Sequence, residues 1–475
     1  MLFNSIEFLI FFPIVCLIYF IIPHKVRWAF LLVASYYFYM SWKASYAILL
    51  FGVTTVNYLG GLAIANSKNK ETKKWILIFT IILSLSGLYY YKYFNFIGNT
   101  INAILNNLGI GISIPFLDLI LPVGISFFTF QALSYTIDIY KGQMKCETNF
   151  GIFALFVSFF PQLVAGPIER ATHLLPQFYE KHKWNDKNAV VGIRLMLWGM
   201  FKKVVVADRL ALYVNAVFNN YQKHSGLSYI LASILFAFQI YCDFSGYSDI
   251  ARGSARVMGF DLMVNFRFPY LSENVTKFWQ RNHISLTTWL KDYIYFPLVE
   301  TNPTVLRMCV LIFITFLLSG LWHGADWTFV IWGIWQAVFL IYDILMRKKR
   351  KRMEKWFKER KLLNLSLGFR YLVTFAIICL GAIFFRASDV KQGWAILKGI
   401  LSLKEGSLFI DAATLSYSFI ALILLLFIEA NNTIDFNDFI MRQKTLSKWS
   451  LYYIIIISII VLGVFDNSAF IYFQF

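Results

Sequence analysis

The sequence predicts an all-α protein that crosses a lipid bilayer about ten to thirteen times, because its apolar stretches approach the roughly 20 residues that a spanning helix needs. Hydrophobic residues make up 59% of the 475 residues and charged residues only 15%, whereas a soluble domain carries about 25% charged residues. Aromatic residues reach 19%, which suits surfaces that face lipid and the membrane interfaces. A soluble fold is therefore excluded.

The apolar stretches recur along the whole chain, and several are short or interrupted by polar residues. The candidate spans are 6–23, 28–41, 47–65, 75–94, 116–140, 149–165, 189–216, 226–244, 304–321, 325–346, 368–387, 414–429 and 449–465. The first has no basic residues before its apolar run and no clear cleavage site, so we expect a retained span and not a signal peptide. Because no repeat and no linker rich in Pro, Gly or Ser divides the sequence, we expect one membrane-embedded domain over 1–475, with its motif-bearing core at about 120–390.

The net charge of +18 has two interpretations, nucleic-acid binding and the positive-inside rule of membrane proteins. The basic residues lie in short segments between apolar spans, so we favour the second interpretation and expect no nucleic-acid partner. The segments 66–74 and 347–361 are then cytoplasmic, and the three spans before the first segment put the N-terminus outside. The run RKKRKR at 347–352 is either a topology anchor, which we favour, or a patch for anionic lipids.

Polar residues persist among the apolar spans in three clusters, although each such residue is expensive in lipid unless it is paired or hydrated. The clusters are FFPQLVAGPIER at 159–170, YCDFSGYSDIARGSARVMGFDL at 241–262, and the two stretches at 272–297 and 318–333. Residues 272–297 are too polar for a lipid-facing helix and too aromatic for a soluble loop. They predict re-entrant or interfacial helices around a wet cavity.

Two histidines, His283 and His323, lie in the third cluster, whereas the other four lie beside polar or basic loop residues, where solvation explains them. No HExxH, P-loop or GxSxG motif occurs, and Thr288 and Thr328 stand where an HxxxxD acyltransferase needs Asp. The cysteines form no CxxC pair and only Asp326 follows His323 at ligand spacing, so we expect no metal site. These exclusions leave general-base catalysis, in which a buried neutral imidazole takes a proton from a hydroxyl.

The stretches FWQRNHISLTTWLKDYIYFPL at 278–298 and SGLWHGADWTFVIWG at 319–333 resemble the signature motifs of the membrane-bound O-acyltransferases. The resemblance is closest to the bacterial branch that acts in O-acetylation of alginate, peptidoglycan and cellulose. It extends to FFPQLVAGPIER, GMFKKVVVADRLA, DFSGYSDIARGSARVMGF, NFRFPYLS and FIYFQF. It implies helices around a central acyl-transfer tunnel, and transfer of an acyl group from a cytoplasmic donor to a hydroxyl at or beyond the outer face.

The resemblance gives His323 the place of the family's WHG histidine, the expected catalytic base, and gives His283 the place of its second histidine. Trp usually precedes that second histidine in the family, whereas this sequence has Asn282. Attack of an alcohol on a thioester needs a base and also donors for the developing oxyanion, which Asn282 or His283 would supply. Asp326 either orients His323 or caps the next helix, and we favour the cap. The expected substrate-binding residues are Asn282, Trp322, Asp292 and Asp326.

We expect an O-acetyltransferase of a bacterial inner or plasma membrane that acts on a cell-surface or secreted polysaccharide. It has no bound cofactor in this interpretation, and its donor is acetyl-CoA or another acyl thioester. Two alternatives stay open: D-alanyl transfer to teichoic acid, and a transporter that works by alternating access. A polymer is too large and too polar to enter a helical bundle, so we expect an extracytoplasmic acetyltransferase partner to receive the acetyl group. The segment FIYFQF at 470–475 is expected to dock that partner or to anchor in lipid.

Overall fold

Every regular element in the described part of the chain is a helix; this computed structural model describes residues 1–299, 303–402, 412–430, 436–465 and 470–471. In chain order the helices are α1 (Ile6–Ile21), α2 (His24–Met40), α3 (Tyr46–Asn66), α4 (Lys70–Leu88), α5 (Phe94–Asn107), α6 (Ile125–Tyr140), α7 (Phe150–Ser158), α8 (Ala171–Tyr179), α9 (Asp186–Met200), α10 (Asp208–Asn219) and α11 (Gly226–Met258). They continue with α12 (Val275–Arg281), α13 (Ile284–Leu290), α14 (Phe296–Leu298), α15 (Val305–His323), α16 (Trp327–Leu345), α17 (Arg347–Glu359), α18 (Leu363–Arg386), α19 (Val390–Ser402), α20 (Ala412–Ala430), α21 (Phe436–Met441) and α22 (Thr445–Leu462). The all-α prediction is confirmed.

In the part of the chain that the structure describes, three π-helical turns join successive helices without a break in the helical path. They are Tyr89–Tyr93 between α4 and α5, Phe201–Ala207 between α9 and α10, and Lys291–Tyr295 between α13 and α14. A π-turn inserts one extra residue into a helix and frequently marks a functional region. Lys291–Tyr295 lies in the third polar cluster, and Phe201–Ala207 lies in the motif GMFKKVVVADRLA.

Eight helices within the described ranges are long and apolar enough to cross a membrane, so the chain is a multi-pass membrane protein, as predicted. They are α3, the continuous Lys70–Asn107, α11, α15, α16, α18, α20 and α22. Among the other predicted spans, α1 is a shorter apolar helix of 16 residues. The stretch 149–165 is wrong as a span, because α7 has only nine residues and rises about 14 Å against a hydrocarbon core of about 30 Å.

The basic segment that follows α16 is a helix and not a loop. Its side chains are exposed or half-exposed along the whole of α17, in which Lys and Arg, both good helix formers, predominate. Met353, Trp356 and Phe357 recur at helical spacing and give α17 one apolar stripe. The cytoplasmic location of this segment stays a prediction.

Contacts divide the described residues into two compact units. The first comprises residues 1–196 and 250–263, and its core is rich in fully buried phenylalanines, among them Phe153, Phe156, Phe159 and Phe160. The second lies within residues 197–249 and 264–471, and it contains both histidines of the third polar cluster. The geometry of the candidate site described below therefore lies within one unit.

Candidate functional site

His283 and His323 lie side by side although 40 residues separate them in the sequence. Their ring centroids are 6.2 Å apart. His323 is the last residue of α15, and His283 is the residue that caps the start of α13. Both side chains are buried, with 4% of His323 and 2% of His283 exposed.

A left-handed backbone turn between two short helices presents His283. Its φ of 46° is uncommon for a residue with a side chain, and such a conformation persists only where its surroundings enforce it. Asn265 holds the turn through hydrogen bonds to the two residues that follow His283: its carbonyl accepts the Ile284 N–H at 2.9 Å. Its side-chain oxygen accepts both the N–H and the hydroxyl of Ser285, at 3.1 and 3.0 Å. Asn265 belongs to the NFRFPYLS motif, for which the sequence alone suggested no role.

Close contact between α15 and α16 positions His323. A Cβ at Gly320 would lie 2.4 Å from the carbonyl oxygen of Phe329, and one at Gly333 would lie 2.5 Å from that of Phe316. Small residues at such a crossing let two membrane helices approach backbone to backbone. Gly324 continues this contact, because a Cβ there would overlap the Phe329 ring at 2.1 Å.

Aromatic rings surround the two imidazoles. The Trp322 ring lies 5.0 Å from His323 and 5.7 Å from His283, and its side chain is only 3% exposed. Trp332 and Phe385 also lie beside His323, at 5.0 and 5.2 Å, and Phe244 and Phe266 lie beside His283, at 4.5 and 6.2 Å. Such an aromatic wall disfavours bulk water and lowers the local dielectric, which strengthens every polar interaction with a bound substrate.

Burial keeps the imidazole of His283 neutral. His283 lies outside the eight spanning helices of the described ranges, and desolvation lowers its pKa from an ordinary 6.5 to about 3. A neutral imidazole carries one N–H donor and one acceptor nitrogen. Among the described residues, no three His, Cys, Asp or Glu side chains come together as a metal site requires.

A cavity of about 320 Å³ lies next to the histidine pair, between α12, α13, α15 and α16. Ser319, which lines it, precedes His323 by one helical turn, and Ile284, which also lines it, follows His283 directly. Its other polar lining residues are Thr276, Gln280, Thr287, Thr288, Thr315, Lys291 and Tyr295. Trp279, Phe316 and aliphatic side chains complete the wall, so the cavity is mostly apolar with a few polar groups, as is typical of small-ligand sites.

The chain is similar to known proteins over the residues that form this site. The model of the membrane-bound O-acyltransferase family matches residues 148–385, a range that includes the histidine pair and the cavity. The chain belongs to the membrane-bound O-acyltransferase family. The family resemblance of the motifs is thus confirmed, and the protein is an O-acyltransferase.

Its relatives carry names that describe different acceptors. A probable alginate O-acetylase of Pseudomonas aeruginosa is 36% identical over 407 residues, which are 85% of this chain and 75% of the relative. A peptidoglycan O-acetyltransferase of Helicobacter pylori is 34% identical over 80% of this chain and 74% of its own length. A teichoic acid D-alanyltransferase of Bacillus subtilis is 26% identical over 54% of this chain and 67% of its own length.

The remaining predicted site residues of this acyltransferase lie on different elements of the second unit. Asn282 is half-buried at the end of α12, where its carbonyl accepts the Thr287 hydroxyl at 3.3 Å. Asp292 lies on the π-turn Lys291–Tyr295, whose two end residues line the cavity. Asp326 accepts the Thr328 N–H at 2.8 Å and caps α16. The favoured interpretation of Asp326 as a cap is confirmed, and its role in substrate binding stays a prediction.

The second polar cluster of the sequence forms buried ion pairs in this acyltransferase. Lys203, on the π-turn after α9, lies 2.8 Å from Asp208 and 2.6 Å from Asp243. Lys202 pairs with Asp249 at 2.5 Å. Buried charges need such partners. Sequence reasoning found both motifs, but nothing in their spacing indicated which lysine pairs with which carboxylate.

His173, in the first unit, is not explained by solvation, and that interpretation was wrong. Its ring nitrogens lie 2.9 Å from Glu169 and 3.6 Å from Asp261. Hydrogen bonding to Asp261 and then to Glu169 raises the pKa of His173 to about 10, so it carries a positive charge at neutral pH. Glu169 also accepts the Met263 N–H, which joins the GPIER motif to the segment after α11.

Proposed function

We propose that this acyltransferase moves an acetyl group from a cytoplasmic thioester to an acceptor on the outer side of a bacterial cell membrane, for O-acetylation of a polysaccharide. The observation that carries the proposal is the pair of buried histidines beside a mostly apolar cavity. The names of the alginate and peptidoglycan relatives support acetyl transfer to a polysaccharide.

His323 is the proposed base. It takes the proton from the acceptor hydroxyl, the oxygen attacks the thioester carbonyl, and an oxyanion forms. Collapse of this intermediate breaks the carbon–sulfur bond, the protonated His323 returns a proton to the thiolate, and the products are an ester and a free thiol. General-base catalysis of this kind contributes about 10²–10⁴-fold.

His283 is the proposed partner in the same step. Its neutral imidazole can donate one hydrogen bond to the oxyanion or to the thioester carbonyl. The ring centroids of the two imidazoles are 6.2 Å apart, so the rings are neighbours. In this proposal the reacting oxygen lies between the two rings, and Asn282, half-buried next to His283, offers a further amide donor.

The cavity supports entry of the donor from the cytoplasm. Ile344 lines it near the end of α16, shortly before the basic helix α17 begins. The positive-inside rule gives α17 to the cytoplasmic side, so the cavity extends from the cytoplasmic end of α16 towards the histidines. A soluble thioester such as acetyl-CoA reaches the site from this side, and an acceptor reaches it from the other.

In this proposal a second protein accepts the acetyl group and passes it on to the polysaccharide. A polysaccharide chain cannot enter a site enclosed by aromatic side chains, so the acetyl group passes first to a hydroxyl of an extracytoplasmic acetyltransferase and then to the sugar. D-alanyl transfer is the second candidate, because a D-alanyltransferase is among the relatives. That relative shares less of this chain and at lower identity than the O-acetylating ones, which favours acetyl transfer.

The test uses membranes that contain the protein, the extracytoplasmic acetyltransferase and the polymer, together with either labelled acetyl-CoA or labelled D-alanine. We expect acetyl label in the polymer with the wild type and with His224→Ala, a control at a half-buried loop histidine. With His323→Ala we expect the acetyl label to fall about 10²–10⁴-fold. Polymer labelled from D-alanine, or acetyl transfer at the wild-type rate in His323→Ala, would contradict the proposal. Acetylation of soluble polysaccharide by the purified chain alone would contradict the relay through a partner.

A further inference from the structure

We propose that the segment at Phe470 and Ile471 is a positioning element for His283, so that its packing sets the rate of acyl transfer. The inference rests on the role proposed above for the histidine pair. Both residues are buried within the second unit, with 1% of Phe470 and 5% of Ile471 exposed. Their side chains are therefore unavailable to a docking partner or to lipid. The surface role expected of FIYFQF is wrong for these two residues, and residues 472–475 lie outside the described part of the chain.

Two ring contacts lead from this segment to the histidine. The Phe470 ring lies 5.6 Å from Phe244 and 5.0 Å from Tyr247, both on α11. The Phe244 ring in turn lies 4.5 Å from His283 and meets it edge to face at 84°. Phe244 is 1% exposed, so the buried Phe244 ring lies in contact with both Phe470 and His283 and links their positions.

A backbone hydrogen bond fixes the same segment to a buried charge. The Ile471 N–H donates to Asp243 at 2.7 Å, and the other oxygen of that carboxylate pairs with Lys203 at 2.6 Å. Asp243 immediately precedes Phe244 in α11. Hydrogen bonds to ionised groups are about twice as strong as neutral ones. The ion pair, the amide and the two phenylalanines thus form one continuous support behind His283.

His283 needs this support because its backbone has the uncommon left-handed conformation. Asn265 fixes the turn that follows, but the position of the imidazole ring depends on packing against its neighbours. A displacement of about 1 Å at a reacting group lowers a rate up to about 10²-fold. Removal of the Phe470 ring leaves space into which Phe244 can move, and His283 loses its fixed position.

The test compares Phe470→Ala, Phe470→Leu and the control Phe465→Ala, whose side chain is 57% exposed in the same part of the chain. We expect Phe470→Ala to lower kcat for acyl transfer about ten- to a hundredfold with KM for the thioester within about twofold, since donor binding is unaffected. Phe470→Leu should restore much of kcat, and Phe465→Ala should resemble the wild type. In a His283→Ala background, Phe470→Ala should cause little further loss, because both changes act on one group.

A second measurement does not depend on activity: carbethoxylation of His283 by diethyl pyrocarbonate, followed by mass spectrometry. We expect faster modification in Phe470→Ala than in the wild type, and a wild-type rate in Phe465→Ala. Unchanged protection of His283, or additive losses in the double variant, would overturn the inference. Absence of acyl transfer in the wild type would instead contradict the proposed function, and the protection experiment would still test this one.

Proline substitution provides a variant pair that keeps the phenylalanine. Ile471→Pro removes the N–H that Asp243 accepts, whereas Ile471→Ala keeps it. If Phe470→Ala fails to fold, we expect Ile471→Pro to expose His283 to modification more than Ile471→Ala does. Equal protection in these two variants would overturn the inference.

Discussion

Replacement of Gly320 by Ala should displace His323, and the structure gives the size of the displacement. The added Cβ would lie 2.4 Å from the carbonyl oxygen of Phe329, whereas ordinary van der Waals contact begins at 3.4 Å. The helices α15 and α16 would therefore have to separate by about 1 Å at this crossing. Because the obstructing atom belongs to the backbone, no rotation of a side chain relieves the contact.

The expected magnitude follows from this displacement. Overpacking of a close contact destabilises a protein by about 1–3 kcal/mol. His323 is three residues further along the same helix, so the displacement reaches the imidazole, and about 1 Å there lowers the rate up to about 10²-fold. Gly368 on α18 is the matched control, because nothing lies within 4 Å of its added Cβ. Its replacement by Ala should stabilise α18 by about 0.5–1 kcal/mol.

The assay is single-turnover acyl transfer together with the midpoint of thermal unfolding in detergent. We expect Gly320→Ala to lower both the rate and the midpoint, and Gly368→Ala to lower neither. A Gly320→Ala protein with wild-type rate and midpoint would refute the claim that this crossing sets the position of His323. Equal losses in both variants would show that the effect is not specific to the crossing.

Three further predictions concern the catalytic base, the membrane topology and the charged histidine of the first unit. His323→Ala should lose about 10²–10⁴-fold in acyl transfer while it still inserts and purifies normally, and His283→Ala should lose less, as kinetics of the purified variants will show. A single Cys at Lys70 or Lys351 in a Cys-free protein should resist an impermeant thiol reagent in intact cells; ready labelling of either would contradict the orientation. The pKa of His173 is raised from 6.5 to about 10, so its charge stabilises the fold fully below about pH 6.5 and ceases to do so as pH rises through about 10. The difference in thermal midpoint between the wild type and His173→Gln should accordingly shrink between these limits, and a difference that grows with pH would contradict the ion pairs.

The sequence by itself determined the environment of this protein and the identity of its main functional groups. Few charges and many apolar stretches require an all-helical membrane fold, because only helices satisfy their own backbone in lipid without closing a barrel. Ionisable residues that persist in such a chain indicate function, and His283 and His323 were recognisable for this reason. The cap formed by Asp326 was also predictable, since it depends only on the residues next to it.

Only the tertiary structure decided how these groups are arranged. The 6.2 Å between the imidazoles depends on the contact at Gly320 and Gly333 and on the turn that Asn265 holds. The partners of Lys203 and the burial of Phe470 likewise depend on segments far apart in the chain. Local sequence patterns report the period and capping of one element at a time. Contacts between distant elements depend instead on the complementary shapes of packed side chains, which no local pattern contains.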